Sequence, residues 1–95
     1  MALYFRKDAE NDLSESVYWY EVQRKGLGLE FLDAVQNSLK IISETPLLYP
    51  LVHANIRRAL LRHFPFGVHY RVEENRIVIL AILHGSRNPG RLKKR

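Results

Sequence analysis

Three arginines are the residues of this sequence best suited to chemistry. Arg58 and Arg62 stand four apart in a stretch of β-type composition, and Arg87 closely follows the apolar run 77–83. A spacing of four places two side chains on the same face of a strand. Planar guanidinium groups bind phosphate or carboxylate oxygens through paired hydrogen bonds. The arginines therefore predict a binding surface for such a partner. The plainer alternative for each one is a pair with a neighbouring acid, or simple solvation.

Histidine and serine give weaker grounds for chemistry. The four histidines are scattered and form no i, i+4 pair on a helix, so the sequence predicts no metal site. Ser86 lacks the second glycine of a nucleophile elbow. No glycine-rich loop is present to hold a phosphate, and no cofactor is predicted. His84 can transfer a proton near neutral pH, and with Arg87 it is the one pair that a nuclease reaction would use.

Positive charge is concentrated in the second half of the chain. Residues 1–55 hold five Lys/Arg and eight Asp/Glu, a net charge of −3. Residues 56–95 hold ten Lys/Arg and two Asp/Glu, a net charge of +8. The two halves sum to the +5 of the whole chain. Arg91, Lys93 and Lys94 belong to a basic tail over residues 91–95. A basic half of this size favours a polyanion or an acidic partner over a surface that merely keeps the protein dissolved.

Length and composition predict one cytoplasmic domain over residues 1–95. The chain has 95 residues and no cysteine, which excludes disulfides, thiolate metal sites and a thiol nucleophile. No apolar run approaches the roughly 20 residues that span a bilayer, so no membrane partner is expected. The first residues lack the basic and apolar regions of a signal peptide.

The elements that would position these residues begin with a short strand over residues 2–6. Asp8 is the expected N-cap of a first helix, which carries acids in its first turn. Arg24 and Lys25 are expected in the last turn of that helix, and Gly26 closes it in the left-handed region. A second helix follows with an apolar stripe and stops at Thr45 and Pro46, so the two helices form an antiparallel hairpin.

The remainder of the sequence is predicted to be loop and strand. Residues 46–55 have no periodicity and are expected to form a loop. Strands are predicted over residues 56–62, 66–72 and 77–83, and the last is apolar on both faces, as a central strand is. The fold class is α+β with the order β-α-α-β-β-β, in which the helical hairpin packs on one face of a small, mainly antiparallel sheet. The other face of the sheet is either covered by the tail, covered by a partner, or left uncovered.

The ordered combination of these segments resembles the RelE/ParE family of toxins from type II toxin–antitoxin systems. The C-terminal half reads RRALLRHFPFGVHYRV, then an apolar strand, then LHGSRNP. YWYE in the first helix and GLGLEFLDAV at the start of the second also fit. The resemblance covers essentially the whole chain and implies a compact toxin that a cognate antitoxin neutralises.

The family has two branches that differ in target, and the match favours one of them. RelE-like members cut mRNA in the ribosome, and the resemblance implies an Arg early in the third strand and a Tyr near the C-terminus. Here those positions fall at Gly67 and near Lys93. ParE-like members poison DNA gyrase without nuclease chemistry. These departures from the RelE-like pattern favour the ParE-like branch, and no catalytic residue is assigned.

We therefore expect a toxin that inhibits DNA gyrase, with a cognate antitoxin as its second partner. The alternatives are a ribosome-dependent mRNA endonuclease, whose partners are the ribosome and mRNA, and an inactive basic module that binds nucleic acid. In the favoured reading, the target-binding residues are six cations: Arg58, Arg62, Arg87, Arg91, Lys93 and Lys94.

Overall fold

A five-stranded sheet with both helices on one face organises the part of the chain that the computed structural model describes, residues 1–85. The elements are β1 (Ala2–Phe5), α1 (Lys7–Gln23), α2 (Leu27–Glu44), β2 (Leu51–His53), β3 (Ile56–Leu60), β4 (Phe66–Val72) and β5 (Arg76–His84). The strand order is β1-β5-β4-β3-β2. β1 runs parallel to β5, and every other neighbouring pair is antiparallel. The predicted α+β class and the mainly antiparallel sheet are confirmed.

Strand β2 was not predicted, because it lies within the stretch 46–55 that the sequence analysis assigned to a loop. It has three residues and pairs with β3 through Leu51 and His53, with a register shift between them. Three residues are too few for an alternating pattern to be recognised. The strand exists because β3 presents a free edge to it, and the backbone N–H of Arg58 donates to the carbonyl of Pro50 at 3.2 Å.

The ends of α1 differ from the prediction at both termini. Arg6 is the N-cap, in an extended conformation and without a side-chain cap bond, so the assignment of Asp8 to that role is wrong. Asp8 instead lies in the first turn, where its charge favours the positive end of the helix dipole. The helix ends at Gln23, and Arg24 is already extended. Arg24 and Lys25 therefore follow the helix, and neither belongs to its last turn.

Glu21 fixes the turn between the two helices. Its carboxylate accepts hydrogen bonds from the backbone N–H of Gly26 at 3.0 and 3.1 Å and from that of Gly28 at 3.0 Å. Gly26 has a φ of +90°, the left-handed conformation that was predicted for it. A Cβ on Gly28 would lie 2.8 Å from the carbonyl oxygen of Val17, so the helices approach here more closely than any side chain permits.

The main core lies between the helical hairpin and the sheet. Phe31, Val35 and Ile42 of α2 are fully buried there against Tyr70 and other apolar side chains of the strands. An aromatic cluster closes one end of this core. Its ring centroids lie 5.0 to 5.9 Å apart in stacked and edge-to-face pairs, and its members are Tyr20, Phe31, Phe64 and Phe66. Aromatic pairs at these separations are favourable beyond the area they bury.

Strand β5 is interior, as predicted, and carries a β-bulge. His69 pairs with Ala81 and Tyr70 pairs with Ile79, so Leu80 is an extra residue on β5. Ile79, before the bulge, and Ile82, after it, both face the helices, so the bulge shifts the alternation of side chains by one residue. The opposite side of the sheet, called the open face below, has its own apolar cluster: Ile56, Val78, Leu80, Ala81 and Leu83. No helix among residues 1–85 is long and apolar enough to cross a membrane.

Candidate functional site

The open face carries three arginines, on β3, β4 and β5. Arg71 and Arg76 both bind the carboxylate of Glu73, each through a 2.8 Å contact. The hydrogen bonds from Arg76 and then Arg71 lower the pKa of Glu73 from its ordinary value. The guanidinium of Arg76 also lies over the ring of Tyr4, 4.7 Å from its centroid. Arg71 and Arg76 are therefore held in place by neighbours, which leaves Arg58 as the arginine of this face with spare binding capacity.

Arg58 lies across Gly67 on the neighbouring strand. A Cβ on Gly67 would stand 2.9 Å from Cγ and 3.0 Å from Cδ of Arg58. The arginine stem thus fills the space that a side chain at position 67 would need. The guanidinium forms no hydrogen bond or ion pair with any other residue of the described range 1–85. An arginine on an apolar strand surface, with its stem packed and its head available, is suited to binding an anion.

The predicted pairing of Arg58 with Arg62 on one strand face is wrong. Strand β3 ends at Leu60, and the chain then turns, with His63 at a φ of +67° and the Leu61 N–H bonded to the Phe66 carbonyl at 2.9 Å. Arg62 is exposed in this turn. Because the connection to β4 is tight, β3 ends two residues before residue 62, where the predicted strand ended.

Arg57 has a structural role that the sequence analysis did not assign. Its guanidinium donates to the carbonyls of Tyr49 at 2.6 Å and Leu47 at 3.3 Å. The hydroxyl of Tyr70 donates to the Pro46 carbonyl at 2.7 Å. Burial raises the pKa of the Tyr70 phenol, so the group stays protonated and able to donate. Together the two side chains hold the loop between α2 and β2. The signal in the sequence was Tyr70 on the apolar face of β4, because a buried phenol needs a partner.

His84 lies on the helix side of the sheet, away from Arg58. It pairs with Phe66 across the strands, and their rings meet edge to face with centroids 5.4 Å apart. Arg58 pairs with His69 and faces the other way. The sheet therefore separates His84 from Arg58, and the two do not form a joint catalytic site.

A groove lies between α1 and the end of β5 and is called the α1–β5 groove below. Its volume is about 580 Å³, within the range of small-ligand sites. The residues that line it are Asp12, Glu15, Ser16, Trp19, Tyr20, Pro65, Phe66, Ile82, Leu83 and His84. The carboxylate of Asp12 accepts a hydrogen bond from the backbone N–H of Ile82 at 3.0 Å. This groove was not predicted from the sequence. The spacing of residues 12, 15 and 19 indicates a shared helix face, but nothing in the sequence places the end of β5 beside that face.

The remaining predicted site residues lie outside the described residues. These are Arg87, Arg91, Lys93 and Lys94, all within residues 86–95. Their assignment as target-binding residues stays a prediction from the sequence. Within residues 1–85, no three His, Asp or Glu side chains stand close enough together to hold a metal ion.

Comparison with known proteins identifies the family. Residues 3–89 match the model of the family described as "ParE toxin of type II toxin-antitoxin system, parDE". The chain belongs to the ParE toxin family. The predicted membership of the RelE/ParE superfamily, on its ParE-like side, is confirmed, and the chain is a toxin component of a type II toxin–antitoxin system. No curated protein matches it in sequence.

A solved structure has the same fold. The match is to a chain from a chromosomal ParDE toxin–antitoxin system of P. aeruginosa, with a TM-score of 0.79. It covers 88% of this chain and 95% of that one, at 23% sequence identity. The same architecture is therefore compatible with a largely different set of side chains.

Proposed function

We propose that this ParE-family chain arrests growth by poisoning DNA gyrase, and that a cognate antitoxin neutralises it. The match of residues 3–89 to the ParE toxin family carries the proposal. A gyrase poison has to bind and stall a protein–DNA intermediate, and it needs no catalytic group of its own. Basic residues on an otherwise apolar sheet face are sufficient for such binding. Gyrase acts on DNA in the cytoplasm, so the proposal also assigns the protein to that compartment.

The geometry around Gly67 supports a non-nuclease mechanism. The resemblance to RelE-like nucleases implies an arginine at that position, where the stem of Arg58 occupies the space for any side chain. Metal-free RNA cleavage needs a proton acceptor and a phosphate-stabilising group at one scissile bond. His84 is separated from Arg58 by the sheet. Arg58 is thereby assigned to binding, and its cross-strand neighbour His69 is buried in the sheet.

The test applies two assays with purified components, one for gyrase and one for mRNA cleavage, to the same preparation of the protein. We expect inhibition of gyrase supercoiling or trapping of cleaved DNA, and no cleavage of mRNA in a ribosome-programmed reaction. Replacing Arg58 or Arg62 by Ala is expected to weaken the gyrase effect about tenfold each, the consequence of losing roughly 1.4 kcal/mol of binding. The control is Lys40→Ala, an exposed cation on α2. Deleting residues 91–95 is expected to weaken the same effect.

Other results of this test would replace the proposal. Codon-specific mRNA cleavage with unaffected gyrase would assign the chain to the nuclease reading and restore His84 and Arg87 as candidate catalysts. Binding to nucleic acid without either effect would assign it to an inactive binding module. Full gyrase inhibition by the Arg58 and Arg62 variants would remove those two residues from the target-binding set.

The antitoxin is proposed to bind the open face with an acidic and apolar segment. Tyr4 and Leu60 are 51% and 62% exposed there, beside the arginines described above. Edge strand β2 adds Leu51, which is 55% exposed. Such a surface suits a segment that becomes ordered on binding, with apolar anchors and acidic side chains.

Co-expression with the product of the neighbouring reading frame, followed by size-exclusion chromatography, tests the antitoxin proposal. The two proteins should elute together. Arg58→Glu should weaken the complex through charge reversal, whereas Lys40→Glu on α2 should leave it intact. Independent elution of the two native proteins would contradict the proposal, and so would equal effects of the two charge reversals.

A further inference from the structure

The α1–β5 groove combines two carboxylates with an exposed indole. Asp12, Glu15 and Trp19 follow each other at intervals of three and four residues on α1, so their side chains share one face of the helix. Trp19 is 56% exposed although it lines a concavity. The opposite wall is formed by the end of β5, where the Ile82 and His84 side chains on the helix side add apolar and aromatic surface. This negative site belongs to a chain with a net charge of +5.

Carboxylates beside an indole are the chemistry that recognises a guanidinium or an ammonium group. The acid supplies a charge-assisted hydrogen bond, and the ring face attracts the same cation. Glu15 has no hydrogen bond or ion pair with any other residue between 1 and 85, so within that range its charge is uncompensated. An anionic ligand would be repelled by the carboxylate of Glu15. The groove therefore suits a basic peptide segment.

A basic segment of the same chain begins at the rim of this groove. His84 lines the groove, and the N–H of the next residue, Gly85, donates to the carbonyl of Pro65, another lining residue, at 2.6 Å. The ten residues that follow, 86–95, lie outside the described part of the chain. They include five Lys/Arg and no acid. A segment of ten residues reaches up to about 33 Å, enough to follow the length of α1.

We propose that the α1–β5 groove is the docking site of the chain's own basic segment, residues 86–95, with one of its cations placed between Glu15 and Trp19. Attachment at Gly85 gives the segment an effective concentration in the groove of the order of millimolar. A separate basic peptide has to compete with that tethered segment. The proposal concerns docking within one chain and holds whether or not the target is gyrase.

Trp19 is the single tryptophan of the chain, so its fluorescence reports on the groove alone. The experiment measures quenching by acrylamide, a neutral molecule that does not respond to charge. The native chain should be protected. Two changes should each raise the quenching constant about twofold: Glu15→Gln, and replacement of the five tail cations by Gln. The matched control is Glu10→Gln, the same change on an exposed residue of α1 outside the groove.

A synthetic peptide of residues 86–95 provides the second measurement. It should restore protection to the chain with the neutralised tail, and it should fail to do so when Glu15→Gln is also present. Thermal unfolding is recorded for each variant, so that a lost fold is not mistaken for an emptied groove. Equal quenching in the native and neutralised chains would overturn the proposal. Protection that increases with protein concentration would also overturn it, because a second copy would then be the occupant.

Discussion

The carboxylate of Asp12 accepts a hydrogen bond from the backbone N–H of Ile82, a residue 70 positions further along the chain. β1 ends at Phe5 and pairs with β5 only as far as Ile79, so this side chain serves the edge of β5 where the neighbouring strand has stopped. A helix thereby completes the hydrogen bonding of the sheet. The bond also sets the distance between α1 and the end of β5, and with it the width of the α1–β5 groove.

Removal of the Asp12 carboxylate is expected to destabilise the fold. Asp12→Ala leaves the partly buried N–H of Ile82 without this acceptor, which costs about 1–3 kcal/mol of unfolding free energy. Asp12→Asn retains an oxygen acceptor and should cost less. Urea denaturation measures both variants, with Asp33→Ala as an exposed acidic control on α2. Equal unfolding free energies for Asp12→Ala and Asp33→Ala would contradict the structural role of the bond.

Glu21 is expected to contribute more to stability than the nearby ion pair does. Its carboxylate binds two backbone N–H groups at the start of α2, and Glu21→Ala should lower the unfolding free energy by about 1–3 kcal/mol. Glu30→Ala removes the pair with Arg24, whose side chains are 62% and 58% exposed, and should cost less than about 1 kcal/mol. Chemical denaturation compares the two. The reverse order would show that the turn does not depend on Glu21.

The contact between Gly67 and Arg58 predicts non-additive stability. Gly67→Ala should destabilise by about 1 kcal/mol, because the new methyl group forces the Arg58 stem to move. In an Arg58→Ala background the same change should be neutral or stabilising, since alanine reduces the freedom of the unfolded chain relative to glycine. A double-mutant cycle of unfolding free energies gives the coupling. A coupling energy below about 0.5 kcal/mol would indicate that the two residues act independently.

Glu73 predicts a loss of stability in acid. Hydrogen bonds from Arg76 and Arg71 lower the pKa of this carboxyl below its ordinary value of 4.5, so folding favours its charged form. That contribution is present above the ordinary value and disappears as the pH falls through the lowered pKa of the folded state. Glu73→Gln should therefore reduce stability at pH 7 and flatten its decline in acid. Glu74→Gln, an exposed neighbour, should leave the decline unchanged in thermal unfolding between pH 3 and 7.

The helices and the long strands were predictable because their patterns are long and regular. The stripe that includes Phe31, Val35 and Ile42 repeats over more than three turns, and β4 alternates over seven residues. Features without a distinct pattern in the sequence were not predicted. The three-residue strand β2 has no alternation to detect, and the bulge at Leu80 is hidden because β5 is apolar on both sides of it.

The candidate site was predictable in part. The basic character of the open face followed from the arginines of the C-terminal half. The position of Arg62 could not be predicted in the same way, because β3 ends at Leu60 and Arg62 lies in the turn that follows. The α1–β5 groove was out of reach for a different reason. Asp12 and Ile82 have no local relation in sequence, and only the packing of α1 on the sheet brings them together.

The parallel pairing of β1 with β5 has a consequence for synthesis on the ribosome. Residues 2–5 emerge first, and their partners, residues 76–79, emerge only after the two helices and three other strands. Contacts between segments so distant in sequence form late, because a long loop has to close first. The nascent chain therefore cannot complete this sheet until residue 79 has left the ribosome. Throughout most of its translation, the toxin therefore lacks a complete sheet and the open face that the full sheet presents.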